Sequence, residues 1–435
     1  MIQTMKKSRF YLALVIFSLV GQVAWVVENM YLNVFIYKMF HASAEAISAM
    51  VAASAVTATV TTLLIGALSD KVGKRKLFIC GGYVLWGISI LCFALIRMDV
   101  IGAIFPATVS AATVGVTLTI IVDCIMTFFG SSANDAAFNA WLTDATDETN
   151  RGAIEGINAM MPLVSILVVF GGFMSLNQDL QESWTMIFTV IGGVVLALGI
   201  AGFFLVEETA VKAEENAHYF VNIFYGFRPG VVRANLPLYA TLLVLALYNI
   251  SIQIFMPYLI LYYTEYLGME NYVLIFAPAI VVAAAFTGLY GKVFDRKGFR
   301  FAVLPTLLLL AVGYVGLFVF RSTAPVFLFS LIMMCGFLGA GAMIGAQIRA
   351  CTPQKKAGMF QGLRIVGQVL IPGVIGPAIG AAILKNADTI VNADGTTSFI
   401  PNANIFLGAL IALVVTFVAL IPLFKLLRKE RSHAG

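Results

Sequence analysis

Gly66-Ala67-Leu68-Ser69-Asp70-Lys71-Val72-Gly73-Lys74-Arg75-Lys76 follows a long apolar run and returns 225 residues later as Gly291-Lys292-Val293-Phe294-Asp295-Arg296-Lys297-Gly298-Phe299-Arg300. The first glycine, the aspartate, the basic residue after it and the second glycine keep their spacing in both copies. Self-similarity at a fixed offset marks a duplicated architecture. A second pair, offset by 206, aligns Gly152-Ala153-Ile154-Glu155-Gly156-Ile157-Asn158 with Gly358-Met359-Phe360-Gln361-Gly362-Leu363-Arg364. Both members open an apolar segment with G-x-x-x-G, a spacing that lets helix backbones approach closely in lipid.

The surroundings of these repeats are those of a membrane protein. Of 435 residues, 60% are apolar and 11% charged, against about 25% charged in soluble domains, and the mean hydropathy is +0.95. This composition excludes disordered, collagenous and secreted disulfide-rich classes. The ten-residue alternating segments of a membrane barrel are absent, which leaves helices of about 20 residues per span. Twelve spans are expected, near 10–37, 44–69, 77–97, 116–143, 152–175, 184–206, 237–262, 272–292, 300–320, 325–349, 357–384 and 403–427. The fold class is therefore all-α, with twelve transmembrane helices in two pseudo-symmetric six-helix bundles, 1–206 and 237–435, joined by a cytoplasmic linker over 207–236. The stretch 101–143 is too long for one span. Pro106 and Gly115 are expected to break it, with an extra interfacial or re-entrant piece at 98–114 and a fourth span starting near Val116. The basic lead Lys6, Lys7 and Arg9 introduces a retained first helix rather than a cleaved signal.

Basic residues distribute unevenly among the loops. Lys38, Arg97, Arg321 and Lys385 fall on one side, 22 others on the opposite side, and Arg364 within a span, so both termini are expected in the cytoplasm of a plasma-membrane protein. The net charge of +5 reflects this asymmetry and implies no nucleic-acid partner. Five cysteines without C-x-x-C spacing and three histidines outside the spans point to neither disulfides nor a metal site. No cofactor is expected, and the partners are the lipid bilayer and a small solute, bound by a monomer. A P-loop is absent, so energy must come from a gradient.

Residues 66–75 resemble the signature loop of the major facilitator superfamily, G-x-x-x-D-[RK]-x-G-[RK]-[RK], between its second and third helices. Gly66, Asp70, Lys71, Gly73 and Arg75 match in full, and Gly291, Asp295, Arg296, Gly298 and Arg300 repeat the pattern with Phe299 in place of a basic residue. Asp144 and Arg151, spaced as D-x6-R, are similar to an element of the superfamily's sugar porters, whereas the second half has Ala350 and Ala357 there. The resemblance implies that Asp70, Arg75, Asp144 and Arg151 latch cytoplasmic helix ends together and release in inward-facing states. Physically, an aspartate at a helix end can accept from unsatisfied N–H groups and balance a nearby cation.

Ionisable groups within spans cost at least about 2.5 kcal/mol each, so those present are functional candidates. Span one carries Gln22, Trp25, Glu28 and Asn29 on adjacent turns, and Glu28 is the leading candidate to take up and release a proton as access alternates. Asp123, Thr127 and Asn134 fall within one stripe of span four, with Asp135 round from them, and Glu155 opens span five. Span seven contributes Tyr248, Asn249 and Gln253. In span eleven Gln361, Arg364 and Gln368 form a polar stripe below Pro372, Gly373, Gly376, Pro377 and Gly380, a cluster that permits bending or close packing. Arg364 is expected to snorkel, to pair with Asp135 or Glu155, or to grip a polar substrate. Amides and aromatic rings suit a hydroxyl-rich ligand. The expected function is therefore secondary active uptake of a sugar-like polar solute by alternating access, coupled to H+ or Na+, with no enzymatic role. The alternative within the same fold is export of drugs or other lipophilic solutes, favoured by 34 Phe and 17 Met. A non-transporting sensor and a membrane enzyme are the readings from other classes.

Overall fold

The computed structural model describes residues 7–105, 110–145, 151–208, 225–352, 362–392 and 395–434. Twelve helices are long and apolar enough to cross a membrane: α1 Ser8–Phe40, α2 Ala44–Ser69, α3 Arg75–Phe93, α4 Ala111–Asp144, α5 Gly156–Phe173, α6 Gln181–Leu205, α7 Leu236–Tyr266, α8 Val273–Lys297, α9 Phe299–Val319, α10 Thr323–Cys351, α11 Gly362–Leu384 and α12 Asn404–Lys429. A short antiparallel hairpin, β1 Thr389–Val391 and β2 Thr397–Phe399, follows α11 with Ile390 opposite Ser398. The chain forms two compact units, Met1–Tyr219 and Phe220–Gly435.

Within the first unit, α3 packs along α6. Lipid tails are as apolar as the side chains, so close van der Waals fit between backbones has to hold helices together. A Cβ at Gly87 would lie 2.4 Å from the Leu196 nitrogen, and one at Gly199 2.5 Å from the Val84 nitrogen. Glycine at both positions is what allows this approach. In the second unit α11 presses on α7 in the same way, with Gly376 against Gln253 and Gly380 against the Ile254 carbonyl. The Pro and Gly cluster of α11 is thus a packing surface.

The segment before α4 differs from the sequence expectation. Met98–Ile104 is a short helix, and α4 begins at Ala111, where Ser110 Oγ accepts from Thr113 N at 3.4 Å. Pro106 lies outside the described residues. Gly115 does not break the helix: it sits inside α4, where a Cβ would come within 2.2 Å of the Phe40 ring. Close packing on the end of α1 explains this glycine. Gly156 also departs from its G-x-x-x-G reading, because nothing lies within 4 Å of a Cβ built there.

Several spans contain π-turns, at Val27–Tyr31 in α1, Ser131–Phe138 in α4, Tyr262–Tyr266 in α7 and Val366–Leu370 in α11. Both repeated loops end their helices on a glycine of positive φ, with ψ 14° at Gly73 and 173° at Gly298. Gly73 has φ 68° and its N–H bonds to Ser69 O at 3.0 Å, while Gly298 has φ 80° and bonds to Phe294 O at 2.9 Å. Only glycine takes such backbone without a steric penalty, which gives the second glycine of each copy its physical reason. Gly73→Ala should cost about 1–2 kcal/mol, seen as a lower unfolding temperature of the detergent-purified protein. Gly66→Ala should not lower that temperature, because its Cβ would meet only Ala136 Cβ at 4.0 Å and alanine is the better helix former.

Candidate functional site

A π-turn in α1 presents Glu28. The wider turn takes the normal i−4 hydrogen bond from a carbonyl, and side-chain amides fill the gap. Asn29 Nδ2 donates to Trp25 O at 2.8 Å and Asn33 Nδ2 donates to Asn29 O at 2.9 Å. Asn29, expected at the site, therefore gives its N–H to its own helix.

Glu28 is buried and held by hydroxyls from two other helices. Ser54 of α2 donates to Glu28 Oε1 at 2.7 Å, Thr127 of α4 donates to the same oxygen at 2.9 Å, and the two hydroxyl oxygens are 2.7 Å apart. Asp123, 1% exposed, lies one turn before Thr127 on the same helix. Glu28 Oε2 and Asp123 Oδ1 have no hydrogen-bond partner. No ion pair among the described residues includes Glu28 or Asp123. Two carboxyl groups thus share a buried pocket of hydroxyls without a basic residue.

The expected stripe on α4 is divided. Asp123 and Thr127 face Glu28 and Ser54, but the π-turn that follows shifts the register, and Asn134 meets α3 instead. The Tyr83 hydroxyl lies 3.0 Å from Asn134 Oδ1 and 2.9 Å from Phe17 O, its single proton shared between the two acceptors. Asp135 is half-buried and accepts from Ser131 Oγ at 3.0 Å. Gln22 and Trp25 are half-buried; Trp25 packs on Trp86 with ring centroids 5.0 Å apart, and neither indole N–H has a partner.

Ser54 is the residue that sequence reading missed. It lies in a helix rich in serine and threonine, among which Thr57 and Thr59 bond back to the carbonyls of Ala53 and Ala55. Nothing in the one-dimensional pattern separates Ser54 from them.

In the second unit, Tyr248 is a structural tether, since its hydroxyl donates to Phe337 O at 2.6 Å. Asn249 is half-buried with an unpartnered Nδ2, and Gln253 lies against Gly376. Arg364 Nε bonds to Gln368 Oε1 at 3.2 Å, one turn along α11. Gln361 lies outside the described residues, as do the side chains of Asp70, Arg151 and Glu155.

Residues 11–351 match the Major Facilitator Superfamily. The chain belongs to that superfamily. It is a multi-pass membrane protein of a transporter family, not an enzyme. Among solved structures, the D-xylose-proton symporter has a TM-score of 0.71 at 15% identity, covering 95% of this chain and 97% of that one. The nucleoside transporter NupG has a TM-score of 0.68 at 14% identity, covering 95% and 98%. A bacterial homolog of the human lysosomal transporter Spinster has a TM-score of 0.68 at 15% identity, covering 97% and 96%. At these identities the likeness is one of fold. None of the curated proteins compared by sequence matches.

The superfamily's signature loop is stitched to the end of α4 in the first unit. Arg75 Nε lies 3.0 Å from Asp144 Oδ2, and Arg75 Nη1 donates to Ser69 Oγ at 2.6 Å. The end of α6 joins them: Glu207 pairs with Arg9 at 2.9 Å, and its carbonyl accepts from Trp141 Nε1 at 3.0 Å. The second copy is built differently. Arg300 lies over the Phe424 ring at 5.5 Å, Asp295 and Arg296 are exposed, and Ala350 stands where the first half has Asp144. Lys71 is likewise exposed.

The Arg75 side chain is 4% exposed and that of Asp144 28%, so removing either partner leaves hydrogen-bonding groups of the other, and of Ser69, without their match. Arg75→Gln should lower stability by about 1.5–3 kcal/mol. Adding Asp144→Asn should cost less than the two single losses together, and thermal unfolding of the four proteins in detergent measures the difference.

Proposed function

We propose that the chain is a secondary active transporter that takes up a small, sugar-like polar solute by alternating access, driven by a proton or sodium gradient. The observation that carries this reading is the buried pair Glu28 and Asp123. Two carboxyl groups without a basic partner, on helices of membrane-spanning length, need a positive charge from outside the chain. A cation that enters from one side and leaves on the other couples that need to movement of a solute.

Further support comes from the polar groups of α1, α7 and α11 and from the structural likeness to a D-xylose-proton symporter and a nucleoside transporter. Gln22 and Trp25 beside the acidic pair, and Asn249, Gln253, Arg364 and Gln368 in the second unit, are the proposed solute contacts. The loop pairs around Arg75 and Asp144, with Asp70 and Arg151, are the proposed cytoplasmic latch. The unequal basic loops support a cytoplasmic position for both termini, and the proposed setting is the plasma membrane, with the chain acting as a monomer.

Reconstitution into vesicles tests this reading. Labelled sugars and nucleosides should accumulate inside only when a proton or sodium gradient is imposed. Glu28→Gln should abolish accumulation against a gradient while purified protein remains folded. Accumulation that ignores both gradients and the Glu28 substitution would overturn the coupling assignment.

A further inference from the structure

Resting on the coupled-transport reading above, the geometry points to a sodium-binding site formed by Glu28 of α1, Ser54 of α2, and Asp123 and Thr127 of α4. Hydrogen-bond accounting at this cluster leads to the ion. Ser54 Oγ touches Glu28 Oε1 and Thr127 Oγ1, and Thr127 Oγ1 touches Glu28 Oε1. These are three oxygen–oxygen contacts. The two hydroxyls supply one proton each, and ionised carboxylates supply none. One contact therefore lacks a donor.

Protonating Glu28 closes that count but leaves a further deficit. Glu28 Oε2 and Asp123 Oδ1 remain buried acceptors with nothing to accept from, and each such group costs about 1–3 kcal/mol. A bound cation removes both shortages together, because it takes lone pairs from hydroxyl and carboxylate oxygens alike. The donor set is entirely oxygen, the chemistry of a hard cation. One ion of single charge, with one proton retained between the two carboxyls, makes the cluster neutral. A divalent ion would reach neutrality only by displacing every carboxyl proton.

The serine and threonine are the informative members. A proton relay needs only the carboxyls, whereas hydroxyls fixed at 2.7 and 2.9 Å from the same carboxylate oxygen serve as ligands. Thr57 and Thr59, whose hydroxyls turn back on their own helix, show that α2 can satisfy such groups locally. Ser54 is directed across to α1 and α4 instead.

Binding to the purified full-length protein in detergent tests the site without any transported solute. Sodium chloride is titrated against choline chloride at constant ionic strength, followed by unfolding temperature and by retention of radioactive sodium. A saturable rise with sodium, absent with choline and weaker with potassium, is the expected result. Glu28→Gln, Asp123→Asn and Ser54→Ala should each weaken sodium binding by about tenfold or more, and Thr57→Ala should not. A flat sodium titration of the unsubstituted protein, or an equal response to potassium or calcium, overturns the site even if a substituted protein fails to fold. The transport reading fails separately: sodium binding without solute uptake sinks that reading alone, and proton-driven uptake with no sodium response sinks the sodium site alone.

Discussion

A polar group carried into hydrocarbon can be satisfied only by the protein itself, and this constraint organises the chain at every scale. It forces the backbone into helices. Where α1 widens into a π-turn, the loosened carbonyls of Trp25 and Asn29 receive amide N–H groups from Asn29 and Asn33. Where α2 carries threonines, two of them return to their own helix. Against that background the Glu28 and Asp123 carboxyls stand out, because hydroxyls reach Glu28 while neither acid has a countercharge among the described residues.

Close packing makes such a site affordable. Glycines on α3 and α6 bring two backbones together, and Gly21 on α1 leaves room for the Tyr83 hydroxyl and the Asn134 amide, which a Cβ would approach to 2.6 and 2.7 Å. Helices held this tightly cannot slide independently, so the oxygens contributed by α1, α2 and α4 keep their mutual distances. A carboxyl pair on loosely packed helices would gather water and lose its demand for a specific ion.

The two halves share a glycine of positive φ in the signature loop but not the loop's chemistry. Both signature loops close on a glycine with positive φ, the backbone solution to ending one long helix and starting another. Among the described residues the first half adds the ion pair from Arg75 to Asp144, and Ala350 stands at the position corresponding to that acid in the second half. In the second half the corresponding arginine rests on an aromatic ring. The inner site differs as well: the first unit gathers carboxyls and hydroxyls, while α7 commits tyrosines such as Tyr248 and Tyr258 to neighbouring carbonyls.

Much of this was legible in the residues. Hydropathy and span length are local sums, and they determined twelve helices with boundaries a few residues from those observed. The repeated Gly and Asp spacing identified the loops, since positive φ is a property of glycine itself. Glu28 and Asp123 were visible because charge is rare and costly inside a span. Tertiary structure alone decided the rest. Gly115 read as a breaker because its packing partner, Phe40, is distant in sequence. Asn134 left its stripe because a π-turn adds a residue that no periodicity announces, and Asn29 was consumed by the same kind of turn. Ser54 became a ligand because of where α2 meets α1 and α4, a long-range coincidence that a row of similar serines and threonines does not encode.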